Sequence, residues 1–251
     1  MVNNWLNIIQ NCLLPPTCIL CGNAGIIGKD ICAVCLEQLV KNTHACERCG
    51  RHLSPPPSNH LCQPCLLSPP PYDRTVAPFV YQGSMRFLIR QLKFNDSYPN
   101  ARLLGLLLAE QIQDNPLPQC IMPVPLHPNR YRERGFNQSI EIAKVVARQL
   151  KIPLELTTCI RQRDTPHQTG LSAKQRDMNI HGAFSISKTM TYHHIAILDD
   201  VMTKGATVGE IARNLKQAGA IKIDVWVCAR TPFFNGHKKP ATRAGSLFQQ
   251  N

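Results

Sequence analysis

From residue 74 onward the apolar positions follow two alternating rhythms. "RTVAPFVYQ", "CIMPVPL", "HHIAILDDV" and "IKIDVWVCAR" are short runs with apolar middles and read as strands. Between them "SMRFLIRQLKF", "YPNARLLGLLLAEQIQ", "FNQSIEIAKVVARQL" and "ATVGEIARNLKQAGA" carry apolar residues at helical spacing. In the third of these Ile140, Ala143, Val146, Ala147 and Leu150 fall on one face; the fourth is expected to stop at Gly219. Strands alternating with helices, with late strands apolar throughout, predict an α/β domain around a parallel sheet. In such sheets ligands bind at the carboxyl ends of the strands. The turns after "IMPVP" and "AILDD" are therefore where chemistry is expected.

The first 71 residues lack these rhythms. Trp5, Ile8, Ile9 and Cys12 have the spacing of one short amphipathic helix. That segment has no Lys or Arg, so it is expected to pack on its own protein rather than on a membrane. It also lacks the basic start and cleavage site of a secretory signal. Pro69, Pro70 and Pro71 make a stiff segment. The expected organisation is an N-terminal module over 1–71, an α/β domain over 72–230 and a basic, flexible tail over 231–251.

Eight of the 12 cysteines lie in four CxxC pairs: Cys18/Cys21, Cys32/Cys35, Cys46/Cys49 and Cys62/Cys65. Ten residues separate the first two pairs and 12 the last two. Zinc takes four ligands in a tetrahedron, and each CxxC turn offers two thiolates from one side. Gly22 and Gly50 follow the first and third pairs, as a tight knuckle with positive φ requires. "CAVCLEQLVK" is able to start a helix. The pattern predicts two structural zinc ions. The simplest pairing joins consecutive CxxC turns; a cross-braced pairing, first with third and second with fourth, is the alternative. A disulfide framework or a thioredoxin-like role fits the spacing less well. Sites saturated by four cysteines leave no position for substrate. Cys12, Cys120, Cys159 and Cys228 are scattered and read as buried apolar residues, and His44, His52 and His60 as surface residues.

The net charge of the 251-residue chain is +12, from 28 basic and 16 acidic residues. Residues 1–71 hold Lys29, Lys41, Arg48 and Arg51 against Asp30, Glu37 and Glu47, so +11 falls on residues 72–251. That surplus points to an anionic ligand or partner, with solubility as the plainer explanation. No apolar run approaches the ~18 residues of a bilayer span. The expected location is cytoplasmic, without membrane insertion.

In "ILDDVMTKGATVGEI" an acidic doublet, Asp199 and Asp200, ends a strand, and a turn of small residues leads into a helix. The turn amides and the helix N-terminus make an anion cradle. Carboxylates beside it suit hydroxyls or a metal ion. Phosphate next to a diol describes a phosphorylated sugar. The alternative is an acidic pair that caps the helix or holds Mg²⁺.

"ILDDVMTKGAT" resembles the phosphoribosyl pyrophosphate (PRPP) motif of type I phosphoribosyltransferases. "PPTCILCG", "YQGSMRFLIRQLKF", "PVPLHPNRYRERGFNQSIEIAK" and "RDTPHQTGLSAKQRDMNIHGAF" extend the resemblance to the ComF family of competence proteins. These place a zinc-ribbon module ahead of a phosphoribosyltransferase-like domain. The resemblance implies that Asp199 and Asp200 bind ribose hydroxyls. It implies that Thr203, Lys204, Gly205, Ala206 and Thr207 cradle the 5′-phosphate. "PVPLHPNR", with Arg130, would form the pyrophosphate loop, and Mg²⁺ would accompany PRPP. Lys204 stands where the motif usually has Thr. The resemblance also implies single-stranded DNA and the DNA-uptake machinery as partners.

"NRYRERGF" interleaves Arg130, Arg132 and Arg134 with Tyr131 and Phe136, a composition suited to single-stranded backbone and bases. By the same resemblance "IRQRDTPHQTGLSAKQRDMN" would occupy the hood position, where phosphoribosyltransferases bind the nucleobase or other nucleophile. It gathers Arg161, Arg163, Lys174 and Arg176 around His167 and Gln168, with no aromatic platform for a base. A solvated basic helix is an equal reading of it. The first functional expectation is a competence protein that binds single-stranded DNA and PRPP. The rivals are an active phosphoribosyltransferase with an unread acceptor, and a zinc-ribbon adaptor with a vestigial nucleotide fold. No residue other than Asp200 offers itself as a general base.

Overall fold

The computed structural model describes residues 15–94, 97–112, 116–164, 180–187 and 191–232. The expected N-terminal helix, most of the tail and the middle of the hood, with His167, Gln168, Lys174 and Arg176, lie outside the described residues.

The two predicted kinds of element form where the two rhythms place them. A parallel sheet runs in the order β1-β7-β6-β3, built from β1 (Arg74–Val76), β3 (Cys120–Pro123), β6 (His194–Met202) and β7 (Lys222–Arg230). β2 (Phe79–Val80) also pairs with β7. The run read as one strand, "RTVAPFVYQ", is thus broken at Ala77–Pro78. Proline has no N–H for the ladder, and the Pro78 carbonyl accepts from the Asn42 amide instead. β6 and β7, the two central strands, are buried almost along their length, as sheets covered on both faces require.

Helices α3 (Gly83–Phe94), α4 (Tyr98–Glu110) and α6 (Gln138–Leu150) share one core with one face of the sheet. On α6 the buried positions are Gln138, Ser139, Ile142, Ala143 and Val146. The predicted face is rotated, leaving Ile140, Ala147 and Leu150 half-buried. The cause is α4, which is buried nearly all round and presses Gly105 against Val145. Helix α7 (Ala206–Gln217) packs with a second cluster that includes Ile195, Ile197, Val225 and Val227. A small antiparallel hairpin, β4 (Cys159–Arg161) with β5 (Phe184–Ile186), stands beside it. A short helix α5 (Pro128–Arg134) follows β3. Cys120, Cys159 and Cys228 are buried, as expected.

The N-terminal module contributes two one-turn helices, α1 (Ala33–Glu37) and α2 (Gln63–Leu67), each beginning just after the first cysteine of a CxxC pair. Cys18, Ile31, Cys35 and Leu39 belong to the same buried cluster as α3, α4 and α6. The second half keeps its own cluster, Cys46, Cys49, Leu53, Cys62 and Cys65.

Candidate functional site

The cysteine sites settle first. The sulfurs of Cys18, Cys21, Cys32 and Cys35 lie within 4.8 Å of one another, and so do those of Cys46, Cys49, Cys62 and Cys65. Consecutive turns pair, and the cross-braced alternative is excluded. Cys21 and Cys32 sulfurs are 3.7 Å apart, and Cys49 and Cys62 sulfurs 3.6 Å apart. A tetrahedron with Zn–S of about 2.3 Å has edges of about 3.8 Å, so each quartet fits one zinc ion. The Cys35 and Cys62 amides donate to the sulfurs of Cys32 and Cys46, as they do toward thiolates. Gly22 and Gly50 have φ of 78° and 67°. His44, His52 and His60 are exposed.

At the carboxyl end of β6 the chain has built a second site. Asp199 lines a pocket with Met202, Thr203, Lys204, Gly205, Ala206 and Thr207. Gly205 caps α7 with φ of 85°. A Cβ there would lie 2.5 Å from the Met202 methyl and 3.1 Å from the Tyr72 hydroxyl, so both conformation and space demand glycine. The turn therefore holds the α7 N-terminus open toward the pocket, with its amides unused by side-chain caps.

The two aspartates have different surroundings. Asp200 is buried. Its carboxylate meets Lys93 Nζ of α3 at 2.6 Å and accepts from Gln138 Nε2 of α6 at 3.3 Å. Gln138 in turn accepts from Arg134 at 2.6 Å. Asp199 accepts from the Ser139 hydroxyl and from the Asp200 amide, each at 2.9 Å. Its half-buried position and the neighbouring Asp200 push the Asp199 carboxyl up to about 7, against the pull of Lys93. Burial works to lower the Lys93 ammonium, but Asp200 wins and raises it. One cation thus faces two carboxylates, and Asp199 is the member left beside the pocket.

Sequence reasoning did not find Lys93, Gln138 and Ser139. The signal was present: Lys93 sits on the otherwise apolar face of α3, and polar Gln138 and Ser139 occupy inward positions of α6. A buried polar side chain at such positions requires a partner.

Arg130 approaches Asp164 at 3.8 Å, and Asn129 donates to the same carboxylate at 2.8 Å. This ties the loop after β3 to the base of the hood. Arg161 stacks over the Phe184 ring at 5.6 Å, and burial together with Arg130 lowers its pKa. Arg163 donates to the His181 carbonyl at 2.7 Å. Both described hood arginines are thereby used within the hairpin region. Of the residues expected to meet DNA, Arg132 and Tyr131 are exposed. Arg134 is half-buried on Gln138, and Phe136 is buried with its ring 6.5 Å from that of Tyr98. Phe136 is a core residue here and offers no stacking surface, a correction to the sequence reading. Its ring belongs to the buried cluster shared by α3, α4 and α6.

Arg230 joins the two sites. It is buried, and donates from Nε to the Cys49 carbonyl at 3.0 Å and from an η nitrogen to the Met202 carbonyl at 2.9 Å. The second cysteine knuckle and the end of β6 are thus held by one side chain.

Residues 9–66 match the double zinc ribbon domain family. Over 228 residues the chain is 34% identical to the DNA utilization protein YhgH of Salmonella typhi, covering 87% of this chain and 98% of that one. It is 34% identical over 223 residues to competence protein F of Haemophilus influenzae, covering 85% and 96%. The chain belongs to the ComF family. Among solved structures, the glutamine PRPP amidotransferase of B. subtilis, complexed with ADP and GMP, is 22% identical with a TM-score of 0.36. It covers 51% of this ComF chain and 26% of that one, a likeness that carries no argument about ligand or reaction. No described helix is long and apolar enough to cross a membrane.

Proposed function

We propose that this ComF protein serves DNA utilization in the manner its relatives' names state, binding PRPP with Mg²⁺ and single-stranded DNA through its α/β domain. The observation that carries the PRPP reading is the pocket after β6. It places the Asp199 carboxylate beside the open N-terminus of α7, a hydroxyl- or cation-binding group next to an anion cradle. Thr203, Lys204, Gly205, Ala206 and Thr207 would take the 5′-phosphate, and Asp199 the ribose hydroxyls or the Mg²⁺ of the ligand. Asp200 would act from behind, with Lys93 fixing the strand end that presents Asp199. Arg130 is proposed for the pyrophosphate. Two zinc ions in the cysteine quartets would be structural, since all four ligands of each are protein thiolates.

The DNA reading rests on the relatives and on the +11 surplus of residues 72–251. The deciding experiment is isothermal titration with PRPP and Mg²⁺, before and after Asp199→Asn. Saturable binding that the substitution removes is expected. Absence of heat in the wild-type protein, with both zinc ions in place, overturns the PRPP reading. Pyrophosphate release on adding an acceptor would make the protein a transferase.

A further inference from the structure

The buried face of α3 explains only half of that helix. Met85, Leu88, Ile89 and Leu92 point into the core. On the outer face stand Arg86, Phe87, Arg90 and Phe94, with Phe87 47% and Phe94 69% exposed. Arg86 and Arg90 are one turn apart, and Phe87 and Phe94 two turns, about 10.5 Å. Among the described residues neither arginine takes part in an ion pair or a side-chain hydrogen bond, and α3 contains no acidic residue. The opposite, inner face of the same helix carries Lys93 to Asp200. Tyr98, 61% exposed at the start of α4, continues the aromatic run.

We propose that the outer face of α3 is the single-strand track of the protein, with Arg86 and Arg90 on phosphates and Phe87 and Phe94 as stacking platforms. The inference rests on the DNA reading above and assigns it a surface other than "NRYRERGF". Two rings interleaved with two guanidiniums that have no ion-pair partner among the described residues match the alternation of base and phosphate along a single strand. Charge argues against a cover by either terminus. Residues 1–14 and 233–251 contain no Asp or Glu to meet the arginines. A duplex keeps its base faces stacked inside and would engage the arginines alone.

The test is fluorescence anisotropy of a labelled oligothymidylate strand with the full, zinc-loaded chain over a range of salt. Phe87→Ala with Phe94→Ala is expected to weaken binding about tenfold or more. Arg86→Ala with Arg90→Ala is expected to flatten the log–log salt slope by up to about 1.4. Both pairs are exposed, so melting temperature and zinc content should stay at wild-type values. If the wild type binds and both double variants bind equally well, the track lies elsewhere and the DNA reading survives. If the wild type fails to bind even at low salt, both fall. If the phenylalanine pair changes the oligomeric state in light scattering and leaves DNA affinity intact, the face is a protein interface and the proposal is overturned.

Discussion

The two cysteine quartets come from one repeated motif, yet they are built into the molecule differently. The first is joined to the α/β domain by apolar contact. Cys18, Ile31, Cys35 and Leu39 share the large core, while its polar links to α4, Lys29 to Glu110 and Arg102 to Asp30, are surface ion pairs of small worth. The second is joined by buried hydrogen bonds. Asn42 donates to the Ala77 and Gly50 carbonyls at 3.0 and 2.9 Å, the Thr75 hydroxyl to the Arg48 carbonyl at 2.6 Å, and Arg230 to the Cys49 carbonyl at 3.0 Å. Gly50 is pressed so closely on β1 that a Cβ would stand 2.9 Å from the Thr75 methyl, while the matching Gly22 faces open space. Apolar contact is non-directional and confers stability. Directional bonds fix position, and this set leads through Arg230 to the Met202 carbonyl before the Thr203–Thr207 turn. One motif therefore fills the core in its first copy and braces the pocket in its second.

The largest effect should come from emptying the quartets one at a time. Structural zinc supplies on the order of 10 kcal/mol or more of apparent folding free energy. Cys18→Ser with Cys35→Ser should lower the main melting transition of the whole chain, because the lost site is part of the large core. Cys46→Ser with Cys49→Ser should leave most of that transition and abolish PRPP binding. Elemental analysis should read one zinc per chain in each case, and calorimetry the difference. Equal losses of melting temperature would break the comparison.

The next effect separates position from stability. Arg230→Met leaves the Cys49 carbonyl without its donor, at about 1–3 kcal/mol, while the Met202 carbonyl keeps the Thr231 amide. PRPP affinity should fall with both zinc ions retained. Gly105→Ala is the control. Its Cβ would stand 2.6 Å from that of Val145 at the α4–α6 contact, and overpacking there should cost about 1–3 kcal/mol. It should spare PRPP affinity. If Gly105→Ala weakens PRPP as much as Arg230→Met, the brace is merely stability by another name.

The smallest effect is a pH slope. The folded Asp199 carboxyl is raised to about 7, so the folded state holds a proton that the unfolded chain has already lost. That contribution to stability declines as pH rises toward and through 7 and is gone above it. Melting temperature should fall between about pH 4 and 7 and level off above it, and Asp199→Asn should flatten the fall. The slope should persist when the second quartet is emptied, since Ser139 and Asp200, not Arg230, set the Asp199 environment. A slope that vanishes with the second quartet would link the two regions more closely than Arg230 alone does.

Much of this was legible from residue order because local rules dominate. Apolar runs place β3, β6 and β7, helical spacing places α3, α4, α6 and α7, and the CxxC spacing fixed ligands and their count. What the sequence left open depends on contacts between distant residues. Sequential pairing required Cys21 beside Cys32 in space, and Lys93 met Asp200 across 107 positions. Phe136 looked like an exposed partner of its arginines until Tyr98 covered it. The hairpin of β4 and β5 has only three-residue strands, too short for a period to register.

The strand order also sets a schedule. β1 has β7 as its ladder partner, and Thr75 pairs with Val225, 150 positions later. During synthesis the cysteine quartets emerge first, but their dock is among the last parts made. At about 5–20 residues per second, β1 waits some 8–30 s for its neighbour. Its open edge meanwhile is three residues long and followed by Pro78, which limits what else can add to it. Arg230, the final residue of β7, catches the Cys49 carbonyl, so knuckles made early are fastened by the last of the described strands.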